Sequence, residues 1–117
     1  MSQQLEERFL IFSINVRDFC KSLKWDIINS QYIKQVIRSS SSIGANYIEA
    51  SDDLGKLDEK MKIKIARREA KEPIYWLKLI ETNNSKMSED QRKLLVEECT
   101  QIQKILSSIL IKLNAKI

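Results

Sequence analysis

Apolar residues recur at steps of three and four along four long stretches of this chain. That spacing places successive side chains on one side of an α-helix, whereas a β-strand would need alternation at every second residue. The stretches therefore predict four amphipathic helices that share one core. Their apolar stripes consist of Leu5, Phe9, Phe12, Val16, Phe19 and Leu23; Ile33, Val36, Ser40, Ile43, Tyr47 and Ala50; Ile63, Ala66, Ala70, Ile74, Leu77 and Ile80; and Leu95, Cys99, Ile102, Leu106, Ile109, Leu113 and Ile117.

The scarcity of chain-breaking residues also favours an all-α fold. The 117 residues include 2 glycines and 1 proline, too few for the closely spaced turns of a β-sandwich or barrel. Four long helices with short connections predict one domain over residues 1–117, an antiparallel up-down-up-down four-helix bundle. A long three-helix bundle is the alternative if the first two helices are shorter than their stripes indicate.

Polar and small residues between the stripes predict where the helices begin. Asn29 and Ser30 offer N-cap side chains for the second helix, and Gly55 is a candidate N-cap of the third. Ser88 and Gln91 have the capping-box spacing, which places the start of the fourth helix there.

Two irregular segments are expected to remain helical. The tract SSSSIGA at residues 39–45 keeps the apolar period, and its small side chains would let neighbouring helices approach closely. Pro73 cannot donate a hydrogen bond to the carbonyl of Glu69, so we expect a kink there rather than an end of the helix.

Composition argues against catalysis. The chain has no histidine, and so lacks the commonest general base and the commonest metal ligand. It has no glycine-rich phosphate loop and no nucleophile beside a base, so we expect neither enzymatic activity nor a cofactor.

The cysteines and the hydropathy bear on location. Cys20 and Cys99 lie at helical core spacing with no metal-ligand pattern, which is typical of reduced, buried thiols in a cytoplasmic protein. We expect no signal peptide at the start and no membrane partner, because no apolar run approaches the roughly 18 residues that a membrane span requires.

Two segments on the second and third stripes resemble a known family. The segments KQVIRSSSSIGANYIEA and KIARREAKEPIYWLKLI look like the bacterial four-helix-bundle family of 23S rRNA-intervening-sequence proteins, to which the accessory variability proteins of diversity-generating retroelements are similar. The chain departs from the family pattern at Glu59, Arg68 and Pro73. The matching positions are Arg38, Ser39, Ser42, Ile43, Ala45, Asn46, Glu49 and Ala50 on the second helix, and Glu69, Ala70, Glu72, Tyr75, Trp76 and Leu77 on the third.

The resemblance implies a homo-oligomer, a ring of five subunits, with no catalytic activity. It also implies a nucleic-acid role, because the retroelement relatives assist a reverse transcriptase and the intervening-sequence members are encoded within rRNA genes. A second apolar flank on the third helix, formed by Met61, Ile65, Trp76 and Leu79, separately suggests contact with another subunit.

Polar residues of the matched segments are candidates for a structural network or a subunit interface. Glu69 falls between the two apolar flanks of the third helix, and a buried carboxylate needs donors from facing residues. A di-metal site at Glu69 and Glu72 is disfavoured because no Glu-x-x-His motif is present, so no metal is expected. For Arg38, Ser42 and Glu49 on the second helix, the alternative is a polar face exposed to solvent. The candidates are Arg38, Ser42, Asn46, Glu49, Glu69, Glu72, Tyr75 and Trp76.

Basic residues of the third helix form the candidate nucleic-acid surface. The chain has a formal net charge of +4, and like charges in one helical arc repel each other, which a phosphate backbone would relieve. Two functions follow: a scaffold that binds RNA or DNA without sequence readout, or an adaptor that docks a partner enzyme without nucleic-acid contact. If the basic residues cluster on one exposed face, nucleic-acid binding is favoured. If they pair with acids of a neighbouring subunit, the adaptor is favoured. The residues are Lys60, Lys64, Arg67, Arg68, Lys71 and Lys78, hereafter the basic row.

Overall fold

The computed structural model describes residues 2–51 and 54–115, which form four α-helices. They are α1 (Gln3–Lys21), α2 (Ile27–Ala50), α3 (Lys56–Leu79) and α4 (Lys86–Ala115), and no strand occurs in these two ranges. Each helix packs against its two neighbours around a ring, α1 on α2 and α4, and α3 on α2 and α4. The body measures 49 × 22 × 20 Å. The predicted four-helix bundle is confirmed, and the three-helix alternative is wrong.

The core is built from the predicted apolar stripes. On α2 every member of the stripe is buried, and on α1 the four central members are buried while Leu5 and Leu23 pack at the margin. Near the end of α4, Leu110 is buried in place of the predicted Ile109 and Leu113, which are partly buried. Ile117 lies outside the described residues. The stripes thus supply the core because one side of each helix faces the bundle axis.

The tract of small residues brings α1 and α2 close together. A Cβ atom added to Gly44 would lie 3.4 Å from the Cβ atom of Phe9. The hydroxyl of Ser13 donates to the carbonyl of Ser40, at 3.2 Å across the two helices. Larger side chains would hold these backbones apart, so the expected close approach is confirmed.

The predicted start of α2 is wrong, because Asp26 is its N-cap and Asn29 has another role. The carboxylate of Asp26 accepts from the backbone N–H of Asn29 at 2.7 Å. The buried Asn29 side chain donates to the carbonyls of Lys24 and Glu81, at 2.9 and 3.0 Å, and accepts from the backbone N–H of Glu81 at 2.8 Å. Asn29 therefore joins the α1–α2 connection to the α3–α4 connection. Ser30, the other candidate, lies within the first turn.

The predicted start of α3 is confirmed, whereas the predicted start of α4 is wrong. Gly55 is the N-cap of α3 as predicted, with a φ of 103° that favours glycine. The predicted capping box at Ser88 is wrong by about one turn, because the hydroxyl of Ser85 accepts from the N–H of Ser88 at 3.3 Å. The chain reaches Ser85 through two left-handed residues, Asn83 and Asn84, and α4 begins at the next position.

α3 continues through the buried Pro73 as predicted, and the kink expected there stays a prediction. Proline removes the donor that would bond the carbonyl of Glu69, and its ring crowds the preceding turn. The carbonyl of Ala70 accepts from the thiol of Cys99 at 3.0 Å and from the side-chain amide of Gln103 at 3.1 Å. Two α4 side chains thereby support α3 near its proline.

Both cysteines are free thiols inside the core, as predicted. Burial raises the pKa of Cys20 and of Cys99 to about 12. Within the described residues, no helix combines the length and apolarity needed to cross a membrane.

Candidate nucleic-acid interface

The basic row lies on the side of α3 that faces away from the core. Ile63, Ala66, Ala70 and Leu77 are fully buried on the opposite side. In the row, Lys64, Arg68, Lys71 and Lys78 are exposed, and Lys60 and Arg67 are half-buried. At 1.5 Å of rise per residue, the row from Lys60 to Lys78 extends for about 27 Å. One outer surface of a single helix thus carries six cationic groups.

The charge of this row is not neutralised within the described parts of the chain. No side chain of the basic row forms an ion pair with an acidic residue there. The acids that follow Arg68 on the same helix, Glu69 and Glu72, are both bound by Arg38 of α2. The row therefore presents a continuous positive surface.

Arg38 is the centre of a polar cluster that ties α2 to α3. Its guanidinium donates to Glu69 at 3.1 Å and to Glu72 at 2.5 Å, while its Nε atom donates to Gln35 at 3.2 Å. The side chain of Glu69 is only 15% exposed, against 35% for Glu72 and 47% for Arg38. Partial burial alone would lower the pKa of Arg38, but the hydrogen bonds and negative charges of Glu72 and Glu69 together raise it.

Trp76 extends this cluster, and Tyr75 lies beside it. The indole N–H of Trp76 donates to the carboxylate of Glu72 at 3.3 Å. Tyr32 stacks on the indole at a centroid distance of 6.3 Å, and Tyr75 meets it edge-on at 5.2 Å. Tyr75 is 61% exposed, and its hydroxyl has no hydrogen-bond partner in the described ranges. Of the possible donors to Glu69, Arg38 makes the contact, and Tyr75 does not.

The remaining polar candidates are used elsewhere. The hydroxyl of Ser42 donates to the carbonyl of Arg38 at 2.9 Å, and the amide of Asn46 donates to the carbonyl of Ser42 at 2.8 Å, both within α2. Glu49 pairs with Lys62 of α3 at 2.8 Å. Two ion-pair links therefore join α2 and α3, one at Arg38 and one at Glu49.

Sequence reasoning missed Lys62, Gln35 and Tyr32 in these contacts. Gln35 lies three residues before Arg38, a spacing that allows contact on one helix, so it could have been found. The partners Lys62 and Tyr32 depend on how α2 and α3 are aligned, which no local pattern reports. Within residues 2–51 and 54–115, no cluster of three or more cysteine or acidic side chains could hold a metal ion.

Comparison with known proteins places the chain among its relatives. Residues 8–108 match the family model described as 23S rRNA-intervening sequence protein. The chain belongs to this family. A crystal structure from Bacteroides thetaiotaomicron, of a protein of unknown function from the S23 ribosomal protein family, is 31% identical and has a TM-score of 0.73. The match covers 90% of this chain and 96% of that one. No curated protein matches the sequence significantly.

The part of the chain that matches the intervening-sequence protein family contains both candidate surfaces. The matched range 8–108 contains all of α2 and α3, and with them the Arg38 cluster and the basic row. The resemblance identified at residues 34–50 and 64–80 is thus confirmed at the level of this family. The relation to the retroelement accessory proteins stays a prediction.

Proposed function

We propose that this protein is a non-enzymatic helical scaffold whose α3 binds the phosphate backbone of RNA or DNA. The observation that carries the proposal is the basic row, six cations along about 27 Å of one helix, none paired with an acid in the described residues. Arg38 occupies Glu69 and Glu72, which are adjacent in the sequence to Arg68 and Lys71, so these two acids do not compete with a polyanion for the row. Binding would release counterions and relieve the mutual repulsion of the cations.

The shape of the bundle favours backbone contact over sequence readout. α3 packs between α2 and α4, in a body 22 × 20 Å in cross-section. α2 and α4 flank α3 on both sides, so only its outer surface can face a nucleic acid, and the phosphates are the first groups that its lysines reach. The basic row would therefore contact phosphates along one surface, which gives affinity without base specificity.

We further propose that the chain assembles into a homo-oligomeric ring of five subunits, as the family resemblance implies. Support comes from large apolar side chains that α3 leaves exposed: Leu57 is 79% exposed, Met61 53% and Leu79 37%. A ring would repeat the basic row and raise its affinity by avidity. Native mass spectrometry tests this, because a ring of five has five times the 13.7 kDa mass of one chain. Any other subunit number at all concentrations would contradict the ring of five.

Fluorescence anisotropy with labelled RNA and duplex DNA tests the basic row. Wild-type protein is expected to bind both at low salt and to lose affinity steeply as salt rises. Lys64→Glu with Lys71→Glu should abolish binding, since both side chains are exposed and unpaired in the described structure. Lys34→Glu with Lys112→Glu is the matched control on α2 and α4. Either pair changes the formal charge from +4 by −4 to 0.

Two outcomes would contradict the proposed site. Equal losses in the two double variants would mean that net charge, and not the basic row, governs binding. Unchanged binding by the Lys64 and Lys71 variant would mean that the basic row does not bind the nucleic acid.

Docking of a partner protein is the second candidate function. It is favoured by three large apolar side chains at the α1–α2 connection: Trp25 is 50% exposed, Ile27 85% and Ile28 63%. Exposed apolar groups concentrated at one place are typical of protein contact sites. This function becomes the better explanation if wild-type protein binds no nucleic acid even at low salt.

A further inference from the structure

We infer that the basic row binds a single strand in preference to a duplex, and that one unpaired base of the bound strand stacks on the ring of Tyr75. This inference rests on the proposed function, because the lysines must hold the phosphates before a base can reach the tyrosine. Beyond phosphate binding, it specifies which class of nucleic acid binds and a contact between Tyr75 and a base.

Tyr75 has the position and exposure that such a contact needs. It follows Lys71 by four residues and precedes Lys78 by three, so it lies on the same side of α3 as these two cations. The side chain is 61% exposed, and the hydroxyl has no partner among the described residues. An aromatic ring between cations is the combination that single-strand-binding surfaces use, because every base has a π-face.

The ring of Tyr75 is already oriented by its neighbours. It meets Trp76 edge-on, with 5.2 Å between ring centroids and an interplanar angle of 77°. Trp76 is in turn positioned by its hydrogen bond to Glu72 and by stacking against Tyr32. A ring that is positioned before the ligand arrives loses little conformational entropy on binding, which favours its use as a stacking platform.

The geometry discriminates against a duplex. Bases in a duplex are stacked on each other and present only their edges in the grooves, so none offers a face to an exposed tyrosine. A flexible single strand can follow the straight row of cations while turning one base toward Tyr75.

Anisotropy with three probes of equal length separates base stacking from phosphate contact. The probes are labelled oligouridylate, an abasic strand that lacks bases, and duplex RNA. Tyr75→Ala is expected to weaken oligouridylate binding by about 5- to 150-fold, the range for loss of one base–aromatic stack. Tyr75→Phe keeps the ring and should bind like wild type, and both variants should bind the abasic strand and the duplex as wild type does.

Cross-linking gives an independent measurement. Ultraviolet irradiation of wild-type protein with an iodouracil-substituted strand should attach the base within the peptide that contains Tyr75, as located by mass spectrometry. Attachment only at other peptides would overturn the inference.

The failure of this inference is distinguishable from the failure of the proposed function. If Tyr75→Ala binds oligouridylate as tightly as wild type while the Lys64 and Lys71 variant does not bind, phosphate binding stands and the stacking is overturned. If wild-type protein binds none of the probes, both ideas fail. A changed subunit number for Tyr75→Ala in native mass spectrometry would also overturn the stacking, because Tyr75 would then act at a subunit contact.

Discussion

Arg38 ties α2 to α3, and its replacement by methionine is expected to destabilise the bundle without disturbing the core. Methionine keeps most of the length and the apolar stem of arginine, so the change removes the charge and the hydrogen bonds more than the packing. Glu69, whose side chain is only 15% exposed, would lose its ion-pair partner at 3.1 Å. The carboxylate of Glu72 would keep its contact with Trp76 alone.

The magnitude follows from the exposure of the three groups. A hydrogen bond to a charged group contributes about 1.5–3 kcal/mol, and the largely buried Glu69 falls in this range. The bond to Glu72 involves side chains that are 47% and 35% exposed, so solvent screening reduces it to about 0.2–1 kcal/mol. Because Arg38 is half-exposed in both contacts, we expect a total loss of about 1–3 kcal/mol, which lowers the Tm by about 4–12 °C for a chain of this size.

Urea unfolding followed by circular dichroism measures this loss. A double-mutant cycle of Arg38→Met and Glu69→Gln isolates the direct interaction, with an expected coupling of about 1–2 kcal/mol. The control is Arg17→Met, which breaks an exposed pair with Asp18 and should cost less than about 0.5 kcal/mol. A loss for Arg38→Met no larger than that of the control, or zero coupling with Glu69, would refute the role given to this cluster.

Three further predictions test the core. Leu106→Asp places an unpaired charge at a fully buried position, so we expect no cooperative thermal transition by circular dichroism, and full retention of cooperativity would contradict this. Gly44→Ala should raise the free energy of unfolding by about 0.5–1 kcal/mol, because alanine favours the helix and its Cβ meets Phe9 at an ordinary 3.4 Å, whereas Gly44→Leu should lower the Tm. The thiols of Cys20 and Cys99, with a pKa of about 12 when buried and 9.0 ordinarily, ionise first in the unfolded chain. Stability should therefore fall as pH rises from about 9 towards 12, by up to about 1.4 kcal/mol per pH unit for each thiol. Cys20→Ala with Cys99→Ala should make this fall shallower, and an unchanged slope in urea titrations would contradict the assignment.

The helices could be predicted because their signal is local and repeated. Every member of the α2 stripe, from Ile33 to Ala50, is buried as its period indicates. The helix starts were harder, because several residues near each start have side chains that can cap. Asn29 was a reasonable N-cap by chemistry, but a contact with Glu81, 52 residues away, uses its side chain.

The candidate site shows the same division. The basic row was visible because Lys60, Lys64, Lys71 and Lys78 repeat with the helical period, and that period alone places them on one surface. The need of Glu69 for a donor was also predictable from its place between apolar flanks. That Arg38 and not Tyr75 is this donor could not be predicted, because the choice depends on how α2 and α3 are aligned.

The sequence by itself determined that this chain folds into four helices and which side of each is buried. Those properties depend on hydrophobic periodicity and backbone propensity, which act over a few residues. Only the tertiary structure decided that Arg38 binds both Glu69 and Glu72. These contacts join residues about 30 or more positions apart in the chain, and such pairs meet only after packing has set the rotation and register of α2 against α3.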